Sequence, residues 1–393
     1  MSAATAQAPP PQPPVGEPEN PLDRLTAEQI EQLGRELDAI HDEVYADLGD
    51  RDARYIRSTI KLHRHLVLAA RALLVRSRNR PLWLAGTAAL SLAKILENME
   101  IGHNVMHGQW DWMNDPDINS QNWDWDTASP ADAWRHSHNY EHHTFTNVRG
   151  KDRDLGYEIM RIDPQQRWHP VYLAQPLYNL LLMGFFEWGV AVHDLNRGAI
   201  HSGEKSKQQV IEELKAIGLK ARGQIVKDYV AFPLLSTALS SRARRKDTFK
   251  ATLAANFTAN IVRNVWAHSI IFCGHFPDQT YTFPKDVLDN ETRGGWYVRQ
   301  LLGSANIDGS PIFHLLAGNL SFQVEHHLFP DMPSSRYAEI APRVRDVCRR
   351  YGLPYNTGPL HKQLGTVHRT ILRLAFPGGK PRPKPGPYRP ESV

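Results

Sequence analysis

Two histidines stand four residues apart in HNVMH (His103, His107), and HNYEHH repeats that spacing with His138 and His142 and sets His143 beside them. In QVEHH, Gln323, His326 and His327 occupy positions i, i+3 and i+4. Residues three or four apart share one face of a helix, so three helical segments can each aim imidazoles at a common centre. A single i, i+4 pair is more often coincidence than a ligand set. The adjacent pairs are harder to explain that way, because side-by-side imidazoles repel when protonated and gain nothing from packing. A further group holds His268 and His275. His136 has no partner at helical spacing except Tyr140 and is left out of the ligand set.

The number of imidazoles bears on the metal. Neutral imidazole suits zinc, copper, iron and nickel. A catalytic zinc takes three protein ligands and keeps one position open, whereas at least seven histidines are on offer here, which implies two metals. The carboxylate-rich di-iron bundles use paired Glu-x-x-His motifs; this chain has one such spacing, Glu100 to His103, and no His-Glu-x-x-His. Asp152 and Asp154 in GKDRDLGY, with Glu141 and Glu325 inside the histidine motifs, are candidates to accept imidazole N–H groups. The alternative for these acids is helix capping, or pairing with Arg149, Lys151 and Arg153.

Three apolar stretches adjoin these motifs. Pro170 to Val192 contains one charge, Glu187, and Ala251 to Phe276 contains one, Arg263; Pro81 to Gly102 gains Lys94, Glu97 and Glu100 on its way to the first motif. A shorter run starts at Leu66. Such lengths suit helices crossing a hydrocarbon layer of about 30 Å, although buried helices of a large bundle look similar. With Pro170 to Val192 and Ala251 to Phe276 as the two crossings between the second and third motifs, all three motifs share one side, and Tyr229 to Leu239 is left as a short interfacial or re-entrant piece. Thr26 to Asp50 and Glu204 to Asp228 show helical periodicity with charged outer faces, as on a water-exposed surface.

Composition narrows the class. The formal net charge is +4, from 46 basic and 42 acidic residues, and no arginine-rich run or zinc-finger spacing accompanies it, so no nucleic acid partner is expected. Two cysteines, Cys273 and Cys348, offer neither a disulfide framework nor a thiolate metal site. The first 25 residues read as a disordered Pro-rich lead and 373–393 as a basic Pro-rich tail, flanking an amphipathic helical region at 26–58 and a main domain at 59–372.

In the order HNVMH, HNYEHH, QVEHHLFP, with apolar spans between, the chain resembles the membrane-bound fatty acid desaturases and their three histidine boxes. Gln323, where many members have histidine, is similar to the subgroup of front-end and actinobacterial acyl-CoA desaturases. The stretches KILENMEIGHNVMHGQWDWMNDP, RNVWAHSIIFCGHFP and GSAN resemble the mycobacterial stearoyl-CoA 9-desaturase type. The resemblance covers roughly residues 50 to 360.

It implies an all-α, polytopic membrane protein with about four transmembrane helices carrying a cytosolic helical cap, set in the plasma (inner) membrane with its active site facing the cytoplasm. It implies two iron ions held by His103, His107, His138, His142, His143, His326 and His327, with O2 as co-substrate. A further ligand is expected after the last span: His275 is preferred, with His268 and Asn264 as second choices, and Gln323 is a weak ligand, a donor to a ligand, or a substrate-side group. The expected reaction is desaturation of a saturated C16–C18 fatty acyl-CoA at Δ9, with hydroxylation or another regiochemistry as the alternative and a metal- or heme-binding electron carrier as the non-enzyme one. Trp110, Trp112, Trp123, Trp125 and Trp134 are expected as an interfacial belt, some of them lining an acyl channel. Arg149, Lys151 and Arg153 are placed to receive CoA phosphates. No heme, iron–sulfur or dinucleotide motif is present, so electrons from NADPH are expected through a separate flavin/iron–sulfur reductase or a ferredoxin.

Overall fold

The computed structural model describes residues 19–378 and 382–389. The expected disordered lead lies outside them up to residue 18, but its end is ordered, because Asn20 caps a 3-10 turn at Pro21–Arg24 and Leu22 and Leu25 pack against the core; parts of the tail also lie outside the described residues. Every regular element among the described residues is helical, and only isolated bridges occur, such as Val148 with Phe283. The all-α expectation is met.

Helix α1 (Ala27–Ala46) starts at a reciprocal cap, in which the Thr26 hydroxyl accepts from the Gln29 backbone N–H and the Gln29 side chain accepts from that of Thr26. This arrangement satisfies two of the otherwise orphaned donors of the first turn. Its buried stripe, Leu33, Leu37, Ile40 and Val44, packs into a core with Tyr297, Val298, Leu301 and Val344. Each such side chain contributes about 1.5–3 kcal/mol when fully buried.

Helices α2 (Asp50–Leu74) and α3 (Arg80–Ile95) form an antiparallel hairpin, with Asn79 capping α3 and Pro81 in its first turn. At Leu96 the helix widens into a π-helical stretch, Leu96–His103, that delivers the first histidine motif. A second π-helical stretch, Arg135–His142, carries the second motif. The remaining stem consists of α4 (Gln175–Gly184), α5 (Phe186–His193), α6 (Lys207–Ile225), α7 (Phe232–Ala238) and α8 (Arg245–His275). A cap built from α9 (Arg293–Gly303), α10 (Gln323–Leu328), α11 (Tyr337–Arg350) and α12 (Leu360–Leu374) closes over the site end. The Arg336 guanidinium locks the start of α2 to this cap, bonding both Asp52 oxygens at 2.7 and 2.8 Å in a buried pair.

Two sequence expectations are corrected. Among the described residues no helix is long and apolar enough to cross a membrane. The run from Pro170 to Val192 breaks at Phe185 (φ −121°, ψ 37°), where the Asn264 amide donates to the Gly184 carbonyl at 3.0 Å. Beyond the break, Glu187 meets Arg263 in a buried pair, so the single charges of two apolar runs neutralise one another. Helix α8 is 31 residues long, but it carries Arg263, Asn256, Asn260 and Asn264 among its buried residues. The second correction concerns Tyr229 to Leu239, which is not a separate piece: α6 continues through a π-helical turn at Val226–Ala231 into α7, packed against α8.

The crossing of α1 over α9 depends on glycine. A Cβ at Gly294 would lie 2.0 Å from the Ile30 carbonyl oxygen. Gly294→Ala is therefore expected to destabilise the protein by about 1–3 kcal/mol through forced separation of the helices, read as a lowered thermal midpoint. An unchanged midpoint would show that the α1–α9 approach is not a packing constraint.

Candidate metal centre

The π-helical stretches decide how the histidines meet. When a turn closes through i→i+5 bonds, residues i+4 and i+5 both come beneath residue i. His138 accordingly has its ring centroid 5.1 Å from that of His142 and 5.0 Å from that of His143. Simple α-helical spacing accounts for the i, i+4 pair but not for the second contact. The stretch is held from outside by Asp194, which accepts bonds from the Ser129 and Ser137 hydroxyls. The Asn139 amide donates to the Met106 carbonyl at 2.8 Å, tying the second motif to the first.

Two groups of ligand-type nitrogens result. One gathers His103, His107, His138 and His326, and the other His142, His275 and His327, with the atoms of each group within 4.8 Å of one another. His143 lies between them, its ring stacked 4.3 Å from His327 and 4.7 and 4.9 Å from His107 and His326. His275, at the end of α8, reaches the cluster; His268 does not. The latter bonds Asn179 at 3.0 Å and stacks on Phe272 at 3.7 Å. Asn264 meets the Gly184 carbonyl and Arg263 rather than an imidazole. The Gln323 amide lies 2.9 Å from His275 Nε2, beside the second group.

The outward nitrogens of His138, His142, His326 and His327 are engaged in protein hydrogen bonds. His142 Nδ1 lies 3.1 Å from both Asp152 oxygens, and His138 Nδ1 is 3.4 Å from Asp154, whose other oxygen faces His193 at 2.8 Å. His326 Nδ1–H donates to the Tyr337 hydroxyl at 3.1 Å and His327 Nδ1–H to Gln300 Oε1 at 3.0 Å. Such bonds fix each ring with Nε2 turned inward. The inward Nε2 atoms of His107, His138, His142 and His143 are buried with no hydrogen-bond partner, and His103 and His326 present Nε2 to each other at 3.4 Å. Buried polar atoms are ordinarily paired. A set of inward nitrogens in two groups, with the His143 ring lying near members of both, fits two metal ions.

Several expected residues have other partners. Glu325 bonds Tyr355 and Asn306 and reaches no imidazole, while Glu141 bonds Arg153 at 2.7 Å. Arg153 is consumed by that contact and by the His193 carbonyl, Arg149 pairs with Asp163 at 2.9 Å, and Lys151 sits over the Phe145 ring. Trp110 is fully buried among Ile56, Ile60, Ile101 and Val105, and Trp112 packs at the edge of the same cluster. Trp134 stacks on His138 at 4.5 Å. Sequence reasoning did not single out Gln300, Tyr337 or His193. Only His193 left a signal, as a histidine closing an apolar run.

Two cavities reach the cluster. A narrow one touches His103 and His138 and is walled by Met99, Trp125, Trp134, Phe186, Val190 and Ile271. The other, of about 420 Å³, opens at His275 and is lined by Arg149, Arg373, Arg382 and Lys384 together with Asp23, Asp163, Asp278 and Asp286.

Burial holds the His107, His143, His326 and His327 imidazoles well below their ordinary range. Burial also opposes charge on His142, yet Asp152 and Asp154 together lift it to about 9. Buried neutral histidines bind fewer protons folded than unfolded, so stability falls with pH once the unfolded imidazoles begin to protonate near pH 6.5. His142 is protonated in both states below that pH and contributes no change there. The metal-free protein is expected to show a thermal midpoint that drops between pH 7 and 5.5; a flat midpoint would contradict a cluster of buried neutral imidazoles.

A family model for fatty acid desaturases matches residues 81–359. The chain is 48% identical over 353 residues to the NADPH-dependent stearoyl-CoA 9-desaturase of Mycobacterium tuberculosis, covering 90% of this chain and 82% of that protein. It is 25% identical over 291 residues to the sn-1 linoleoyl-lipid 6-desaturase of Synechocystis, covering 72% and 77% respectively. No solved structure matches.

Proposed function

The chain belongs to the fatty acid desaturase family, and from that premise we propose that it is an O2-dependent acyl-CoA desaturase, introducing a cis double bond at Δ9 of a saturated C16–C18 chain. The observation that carries the reading is the pair of buried histidine groups, His103/His107/His138/His326 and His142/His275/His327, joined by His143. These residues, with Gln323 at their edge, would hold two irons, which when bound would activate O2, the oxidant that an unactivated methylene requires. The 48% identity to the stearoyl-CoA 9-desaturase supports the substrate and the bond position.

The chain's own residues orient and shield. Asp152, Asp154, Gln300 and Tyr337 keep the imidazoles in one tautomer and one direction. The aromatic walls of the narrow cavity, Trp125, Trp134 and Phe186, suit an acyl chain laid past His103 and His138 and exclude water from the reacting carbon. At the other opening the rim alternates Arg149, Arg373, Arg382 and Lys384 with Asp23, Asp163, Asp278 and Asp286, and Arg149 and Arg382 already face Asp163 and Asp278, so a CoA phosphate bound there would have to take cations from these pairings. Of the three basic residues expected in that role from the sequence, Arg149 alone lines this rim.

We further propose that the stem is embedded in the plasma membrane with the histidine end toward the cytoplasm. Leu68, Leu84, Leu180, Leu234, Leu239 and Phe257 project exposed apolar side chains from different stem helices, a distribution that suits hydrocarbon. Electrons from NADPH would arrive through a separate flavin/iron–sulfur reductase or ferredoxin.

Expression in a host lacking its own desaturase, fed stearate, followed by gas chromatography of the fatty acid methyl esters, tests the reaction. A new Δ9 monounsaturated ester, absent with His142→Ala, is expected; a hydroxylated product, or none from the iron-loaded protein with a competent reductase, would reject it. Alkaline carbonate washing tests the embedding: the protein is expected to stay in the membrane pellet, and release into the supernatant would reject it.

A further inference from the structure

The Arg135–His142 stretch, which carries His138 and His142 toward the cluster, also presents an outer face. Ser137 and His142 are buried on the Arg135–His142 stretch, whereas His136 and Tyr140 point outward, the His136 side chain 68% exposed and Tyr140 58% exposed. These two rings stack at 5.7 Å, and Tyr140 meets Phe145 edge-on at 6.5 Å. Lys151 lies over the Phe145 ring, and next to it Gly150 borders the side chain of the exposed Lys285. Of the nearby acids, Asp132 pairs with Arg135, and Glu141 pairs with Arg153 through one oxygen and lies 3.5 Å from His136 Nε2 through the other. The surface is therefore an aromatic patch flanked by two cations, lying on the back of the helix whose front holds three inward imidazoles.

We propose that this patch of His136, Tyr140, Phe145, Lys151 and Lys285 is the docking surface for the electron donor, an iron–sulfur protein of the ferredoxin kind that presents an acidic face. The inference rests on the desaturase reading and names where its electrons enter. Each turnover takes two hydrogens from the acyl chain, two electrons from the donor and two protons from solvent, and reduces one O2 to two waters. The two donor electrons come from outside the chain, so a surface near the cluster must accept a carrier. A helix is about 10–12 Å across with its side chains, and Tyr140 stands two residues from both His138 and His142. An exposed aromatic at a patch centre with a charged rim is the composition that protein contacts favour, and the cations select an acidic partner and hasten encounter.

The test uses the iron-loaded full chain in detergent with a ferredoxin and its NADPH-dependent reductase as the electron source. Initial desaturation rates are measured against ferredoxin concentration, and separately against stearoyl-CoA, for wild type, Tyr140→Ala and Lys285→Glu. A single turnover of enzyme reduced beforehand with dithionite bypasses docking. Each variant is expected to raise the KM for ferredoxin roughly three- to tenfold, as loss of an interface anchor or rim charge does. The KM for stearoyl-CoA and the single-turnover yield are expected to stay at wild-type values, and added salt to weaken the wild-type ferredoxin dependence. An unchanged ferredoxin KM in both variants overturns the proposal, as does a shift confined to the stearoyl-CoA KM. A wild-type enzyme that gives no product in the single turnover instead overturns the desaturase reading itself.

Discussion

Eight imidazoles enclosed in one buried space are the constraint on which the rest of the structure depends. Their inward nitrogens lack protein partners at His107, His138, His142 and His143, and unpaired buried polar atoms are costly unless something else satisfies them. Protonation is no remedy at His107 and His143, where burial and neighbouring imidazoles both disfavour the charge. Metal ions resolve the conflict by taking the lone pairs. The cluster is thus a poor apolar core and a good coordination site.

The helices solve the delivery problem with local departures from α geometry. Two of the three π-helical stretches among the described residues, Leu96–His103 and Arg135–His142, occur where a histidine motif begins or sits. The wider turn lets one short segment present His138, His142 and His143 together. Outside this ring, Asp152 is fixed in turn by the backbone N–H groups of Asn147 and Asp154 at 2.7 and 2.9 Å. Gln300 holds His327 through Oε1 and the His143 carbonyl through its amide. Orientation therefore spreads from the cluster to α9, and through the Gly294 contact to α1.

The cluster was legible in the sequence because histidine spacing is local information. HNVMH, HNYEHH and QVEHH state which residues share a face, and Asp152 and Asp154 lie close behind the second motif. The stem was less legible, because its apolar runs conceal tertiary polar contacts. Nothing in Pro170 to Val192 discloses that Asn264 captures the Gly184 carbonyl or that Glu187 pairs with Arg263; these contacts join residues some eighty positions apart. Gln300 and Tyr337 escaped for the same reason, each meeting its histidine through the fold rather than through a motif. The choice between His268 and His275 needed geometry too, since both lie in one apolar segment and only the end of α8 reaches the cluster.

Metal content with X-ray absorption at the iron edge tests the central claim most directly. On protein purified without chelator, the account predicts two irons per chain in a first coordination shell dominated by imidazole nitrogen. One metal per chain, or a shell dominated by carboxylate oxygen, would contradict it.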